Sequence, residues 1–381
     1  MIVSPILRFQ ENTMIKKTVF CAVVTAAVLA FAGCMPQEDL RIGFIGGLTG
    51  SNSDNGQAGL NGVILAVEKI NQAGGVNGRK IDLLIKDDAQ QPGVAEKSAR
   101  ELVSAHVEAV IGPFTSSMAS RIVPITGAAG VLQISPTVTA MEFYGKDDNF
   151  FRINRTTRDN AREYAQVITG RGQSRVSVAY DLGNKSFTES WLQEFSTYIA
   201  AQGGEIVIAV PYSSPSADYE GIVRSMLNAK PDIAFFIAGA LDVARLAQQV
   251  KKINPSIPIG AAEWAGTEQL LEFGGDVVEG LLIVQNHNSA DNSEKFRVFA
   301  ESYFRRFQRI PGYSSVAAYD AATVVLNALK HQKKNETLKS TVLRLQRFEG
   351  LQQEIVFDKN GDTERKVFFT EVRSGRFVQI K

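Results

Sequence analysis

Short apolar runs of strand length alternate with helical patterns along most of the chain, and they do so in two series. In the first, Arg41 to Ile45 reads as a strand. Leu60, Val63, Ile64, Val67 and Ile70 then form one apolar helix face at 3–4 spacing, which Gly74-Gly75 stops. Lys80 to Lys86 is the next strand, Val94 to Ala105 the next helix, and Ala109 to Ile111 a short buried strand. Ser116 to Ala129 follows as a helix that Pro124 should kink or end early, and Val131 to Ile134 closes the series as a strand. The alternation resumes after Phe151-Arg152-Ile153, with strands at Arg175 to Tyr180, Glu205 to Val210, Asp232 to Ile237 and Ile257 to Gly260. Helices fall between them near Asn160 to Thr169, Ser186 to Ala201, Tyr219 to Asn228 and Leu241 to Ile253. Such alternation means parallel sheets covered on both faces, and two series joined by an extended segment mean two lobes. The C-terminal part differs: helices near Glu294 to Phe307, Ser315 to Lys330 and Glu336 to Gln346 precede strands at Gln353 to Phe357 and Val367 to Val372.

The N-terminus fixes a compartment. Lys16 and Lys17 precede an apolar run from Thr18 to Phe31 that ends in Phe31-Ala32-Gly33-Cys34, the make-up of a secretory signal over residues 1–33. That run is short of the roughly 20 apolar residues a membrane span takes. Small residues immediately before Cys34 resemble a bacterial lipobox, with Phe31 where Leu is usual, so Cys34 is expected to carry a lipid anchor and residues 34–39 to form a tether. A plain signal peptide with a chance Cys is the other reading. Met14 fits this scheme as the true start. Cys21 leaves with the leader, so the folded body has neither a disulfide nor a Cys-based metal site.

Removing Arg8, Lys16, Lys17 and Glu11 from 41 basic and 40 acidic residues leaves 38 and 39, a balance of −1 with no basic block. Nucleic acid and anionic membrane surfaces are therefore not expected as partners. Catalysis is not expected either. His106, His287 and His331 are the only histidines and none stands in metal-ligand spacing with another; neither a Gly-x-Ser-x-Gly elbow nor a P-loop occurs. Gly43-Phe44-Ile45-Gly46-Gly47 departs from the dinucleotide spacing. No cofactor and no metal are expected.

Ligand binding is better supported. In open parallel sheets ligands sit beyond the carboxyl ends of the strands, where loops lead into helix N-termini with unpaired N–H groups. Hydroxyl and amide side chains stand at those ends: Thr49 and Ser51, with Asn55 closing their loop; Thr115-Ser116-Ser117; and Ser135 to Thr139. These are also the residues that simply cap helices. Three such loops on one edge favour binding over capping alone.

At these residues the chain resembles the leucine/isoleucine/valine-binding protein family, the amino-acid receptors of the type I periplasmic binding fold, from about Leu40 to Val378. The likeness is carried by Ile42-Gly43-Phe44-Ile45-Gly46-Gly47-Leu48-Thr49-Gly50, by Leu65 to Asn71 running into Gly74 to Lys80, by Asp87-Asp88 and by Val110-Ile111-Gly112-Pro113. Ile134 to Thr139 and Phe357-Asp358-Lys359-Asn360-Gly361-Asp362 continue it. The resemblance implies an α/β chain of two doubly wound parallel-sheet lobes joined by three hinge crossings, placed near Asn154, Asn286 and Gln353. Lobe 1 is then residues 40–154 and 287–352, and lobe 2 is residues 155–286 and 353–381. It further implies a monomeric, membrane-anchored lipoprotein at the periplasm or cell surface that closes on a small ligand and delivers it to an ABC permease.

Matched residue by residue, Ser116 and Thr139 fall on positions that hold the ligand's carboxylate and amino group, and Thr137 on one giving backbone contacts. Glu263, in Ala262-Glu263-Trp264, resembles the acid that pairs with the α-ammonium group; an ordinary surface acid is the other reading. Aromatic residues common in relatives are replaced by Asn184-Lys185-Ser186 and near Gly239-Ala240, which puts a purely aliphatic ligand in doubt and leaves an amide, urea-like or carboxylate solute open. Lys185 faces either a second acidic group or solvent. Trp264 and Tyr319 are candidates for apolar walls, with core packing equally open for Tyr319. A sensory module of the same fold would look the same.

Overall fold

The computed structural model describes residues 38–380 apart from Ser51 and Pro215; the signal, the start at Met14 and the lipid site at Cys34 lie outside the described residues. Residues Leu40–Lys381 form one compact unit. Its first half runs β1 (Leu40–Gly46), α1 (Asp54–Gln72), β2 (Ile81–Asp87), α2 (Pro92–Ser104), β3 (Ala109–Ile111), α3 (Ser116–Ala128), β4 (Leu132–Ser135) and β5 (Phe150–Arg152). These strands make an all-parallel sheet in the order β2-β1-β3-β4-β5. Their near-continuous apolar sequences follow from burial on both faces: Ile42, Phe44, Ala109, Ile111 and Ile134 are fully enclosed.

The second half runs α4 (Thr157–Gly170), β6 (Arg175–Asp181), α5 (Lys185–Ala201), β7 (Glu205–Tyr212), α6 (Tyr219–Asn228), β8 (Ile233–Ile237), α7 (Ala240–Ile253), β9 (Ile259–Ala261), α8 (Glu268–Gly274) and β10 (Leu282–Gln285). Then come α9 (Glu294–Phe307), α10 (Tyr313–His331), α11 (Leu338–Leu345), β11 (Arg347–Glu349), β12 (Glu354–Val356), β13 (Phe368–Arg373) and β14 (Arg376–Gln379). The second sheet has the order β14-β13-β10-β9-β8-β6-β7, parallel except for β13 and β14 at one edge. The molecule is thus two doubly wound α/β lobes, with Ile233, Phe235, Ile283 and Val284 among the fully enclosed residues of the second.

The chain leaves the first sheet after β5 and returns after β10, because Phe296, Phe299 and Tyr303 of α9 pack on Val316 of α10, whose other residues fill the first core. The last passage comes later than Gln353. β12 pairs with β11, and Ile355 and Phe357 are buried in the first core, so residues 353–363 belong to the first lobe. A buried ion pair secures this segment to β5, with Arg152 Nε donating to Asp362 Oδ1 at 2.8 Å. The last strands β13 and β14 then extend the second sheet.

The helix read at Ser116 to Ala129 is present as α3, and Pro124 inside it does not end it early: it runs to Ala128. The ring removes one N–H from the ladder, while Thr126 Oγ1 donates to the Ile122 carbonyl at 3.3 Å and Met118, Ala119 and Ile122 anchor the helix in the core.

Candidate functional site

The carboxyl ends of both sheets meet, and the loops leaving them supply the polar residues. β3 ends at Ile111 and the chain turns through Thr115 into α3, so Ser116 opens a helix whose first N–H groups have no partner within the helix. Ser116 is buried, as is Thr139 after β4. From the second lobe, Glu263 follows β9 on a short turn and is buried too.

Glu263 is the chemical centre of this region. Its Oε2 accepts from the Trp191 indole at 2.8 Å, and its Oε1 accepts from Asn160 Nδ2 at 2.9 Å and from Thr139 Oγ1, across the lobes, at 3.4 Å. Burial pushes its carboxyl above the ordinary range; its own backbone N–H and the Trp191, Asn160 and Thr139 donors pull the other way. Among the described residues it forms no ion pair. A buried carboxylate held only by neutral donors keeps attraction for a cation that no side chain here satisfies.

Around it, Trp264 is buried and meets Phe187 edge-on with centroids 5.9 Å apart. Thr137 lies beside Thr139 with its hydroxyl committed to the Phe114 carbonyl at 2.7 Å, which leaves its backbone as the available part. Of the three first-lobe candidates, Thr139 meets Glu263 across the lobes, while Ser116 opens α3 and Thr137 follows β4 on the same lobe.

Three other candidates are committed to other partners. Asn55 is buried inside the first lobe, where its Oδ1 accepts from Ser314 and ties α1 to α10. Lys185 points outward, its side chain 63% exposed and 3.5 Å from Glu189; a helical position one turn before an acid pairs along the surface instead of across the cleft. Tyr319 packs against Phe299 at 4.9 Å in a satellite core. Asn160 and Trp191, which hold the acid, and Phe187, which packs on Trp264, lie inside helices α4 and α5, where the sequence pattern gave helices and singled out no site residue.

The lobes are in contact on either side of this centre. Along one seam, Ser117 N donates to Asn184 Oδ1 at 3.1 Å, Ser186 N donates to Ser117 Oγ at 3.2 Å, and the Ser120 and Ser186 hydroxyls are 3.1 Å apart. On the other, Thr267 Oγ1 donates to Asp54 Oδ2 at 2.6 Å. Beside that bond a cavity of about 660 Å³ is lined by Asp54, Glu268, Tyr303, Arg309 and Tyr313. The Glu268 carboxyl there is pushed up to about 7, by burial and then by Asp54 and Glu272. The chain is closed.

At the base, buried His287 follows β10, and burial pulls its imidazole down to about 4, so it is neutral near pH 7. No group of three or more His, Cys, Asp or Glu side chains among the described residues is placed to hold a metal. No helix among them is long and apolar enough to cross a membrane.

Two lobes that present opposed polar groups across a closed cleft define a binding protein. The chain belongs to the periplasmic binding protein family, whose model matches residues 39–376. It is 23% identical over 356 residues to the leucine-, isoleucine-, valine-, threonine- and alanine-binding protein of Pseudomonas aeruginosa, covering 93% of this chain and 94% of that one. Among solved structures it is similar to a leucine-binding protein from Thermotoga maritima, with a TM-score of 0.82, 22% identity and coverage of 90% of this chain and 98% of the other. A solute-binding protein from R. palustris in complex with benzoate has a TM-score of 0.81 at 19% identity, covering 90% and 95%.

Proposed function

We propose that this chain is the solute-binding component of an ABC importer, that its ligand is an amino acid or a close zwitterionic analogue, and that a lipid on Cys34 anchors it outside the cytoplasm. The observation that carries the ligand class is Glu263, an enclosed carboxylate with three neutral donors and no cation among the described residues. An α-ammonium group supplies the missing charge, and a charge-assisted bond is roughly twice as strong as a neutral one. On the facing lobe, the N-terminus of α3 with Ser116 offers N–H and hydroxyl donors suited to the ligand's carboxylate. The names of the relatives, several of them amino-acid-binding proteins, support the same reading.

An aromatic acid is the second reading, favoured by the Trp264–Phe187 wall and by the benzoate-bound neighbour. It leaves Glu263 unanswered, since a benzoate brings no cation. Isothermal titration of the protein with the twenty amino acids, their amides, benzoate and dicarboxylates separates the two. Binding of a free amino acid and loss of binding on N-acetylation are expected; tight benzoate binding with silence across the amino acids overturns the proposal. For the anchor, Cys34→Ser is expected to move the protein from the membrane fraction to the soluble one. A permease and an ATPase encoded alongside the chain favour transport over sensing.

A further inference from the structure

One contact across the cleft depends on a missing side chain. Gly239 precedes α7 with φ −73° and ψ 164°, a conformation open to any residue, so the backbone does not call for glycine there. Space does. A Cβ at this position would lie 2.3 Å from Oδ1 and 3.1 Å from Cγ of Asn52, which comes from the opposite lobe, and 3.6 Å from Cε2 of Trp264. The half-buried Asn52 makes no hydrogen bond through its side chain to any of the described residues, so its amide stands beside the Trp264 indole with donor and acceptor capacity unused.

We propose that Gly239 is the seat into which Asn52 closes, and that the seated amide, placed beside Trp264, binds a polar group on the ligand's side chain. The ligand half of this statement rests on the amino-acid reading above; the seat does not. A large residue at 239 occupies the volume Asn52 needs and holds the lobes apart. Shortening Asn52 returns that volume. The same exchange turns the wall beside Trp264 from an amide into an aromatic ring, which favours an aliphatic side chain over a polar one.

Closure is read without any ligand by a disulfide trap. Ser120 and Ser186 lie on opposite lobes with hydroxyls 3.1 Å apart, so the pair Ser120→Cys/Ser186→Cys oxidises only when the cleft shuts. The test uses the full chain with Cys21→Ser and Cys34→Ser. Gly239→Phe is expected to slow trapping about fivefold or more, and Asn52→Ala in the same chain to restore the parent rate, the mark of a directly coupled pair. Gly239→Ala, a milder change, is expected to slow it less. Trapping of Gly239→Phe at the parent rate overturns the seat, as does failure of Asn52→Ala to restore it while circular dichroism shows both variants folded like the parent. For specificity the probes are L-asparagine and L-leucine. Asn52→Ala should weaken L-asparagine about fivefold and leave L-leucine within about twofold, and equal loss of both removes the amide's role. A parent chain that binds neither probe tells against the amino-acid reading, and the trapping rates still decide the seat.

Discussion

The two lobes bring unlike chemistry to the same cleft. The first presents a helix N-terminus and hydroxyls, Ser116 and Thr139, on strand-end loops. The second presents one enclosed carboxylate, Glu263, braced by Trp191 and Asn160 and flanked by Trp264 and Phe187. On the proposed function, each lobe would serve one pole of a zwitterion, and neither would complete the site alone. Binding and closure would then be one event, because a ligand bridging the poles favours the conformation in which they face each other.

The largest break in this contrast is to remove the second lobe's charge. Glu263→Gln keeps the size and takes away the ammonium partner, at a cost of about 2–5 kcal/mol, or roughly thirtyfold or more in Kd by titration. Its thermal midpoint should not fall, since a buried carboxylate without a cation is itself a cost to folding. Unchanged amino-acid affinity in this variant would falsify the assignment of Glu263. The opposite break, Ser116→Ala, takes one hydroxyl from the carboxylate pole while the helix N–H groups remain, so a smaller loss of about tenfold is expected.

The rim is where the contrast fails, because there both lobes bring acids, Asp54 and Glu268. In the closed chain the Glu268 carboxyl is pushed up to about 7 from 4.5. The closed form therefore holds more protons than an open form with Glu268 in water between those two values. It loses stability as pH rises through that window and is level above it. Affinity measured from pH 5 to pH 8 should fall by roughly tenfold or more and then flatten, and Glu268→Gln should reduce the slope to what buried Asp54 and Glu263 leave. A slope of the opposite sign would show that the rim acids do not oppose closure. The smallest effect is expected from Thr139→Val: its hydroxyl lies 3.4 Å from Glu263, and losing so long a bond should weaken binding about threefold.

Much of the fold was legible because its signals are local. The helices Tyr219–Asn228 and Glu294–Phe307 and the strand Ala109–Ile111 stand where periodicity placed them, since an amphipathic stripe or an apolar run is written in neighbouring residues. The last passage between lobes was misplaced because nothing near Gln353 says which core receives Ile355 and Phe357; that depends on β11 and on Arg152, which is 210 residues away from its partner Asp362 in sequence. Of the proposed site, the strand-end loops stand out by composition and Glu263 by resemblance. Trp191 and Asn160 gave no signal, since an aromatic or an amide in a helix reads as packing until its partner is known. Lys185 was a candidate only for its place in the chain, and its side chain turns to Glu189.

By itself, then, the sequence determined the succession of strands and helices, the two-lobed α/β class and the strand ends at which polar loops would gather. Each of these follows from the spacing of apolar residues and the chemistry of turns, which act over a few positions. Only the tertiary structure decided that Glu263 is enclosed by Trp191, Asn160 and Thr139, that Asn55 bonds Ser314 and Lys185 pairs with Glu189, and that Gly239 leaves room for Asn52. Those facts depend on which surfaces meet when two lobes close, and electrostatics and steric exclusion at that meeting are set by distances through space that no local pattern encodes.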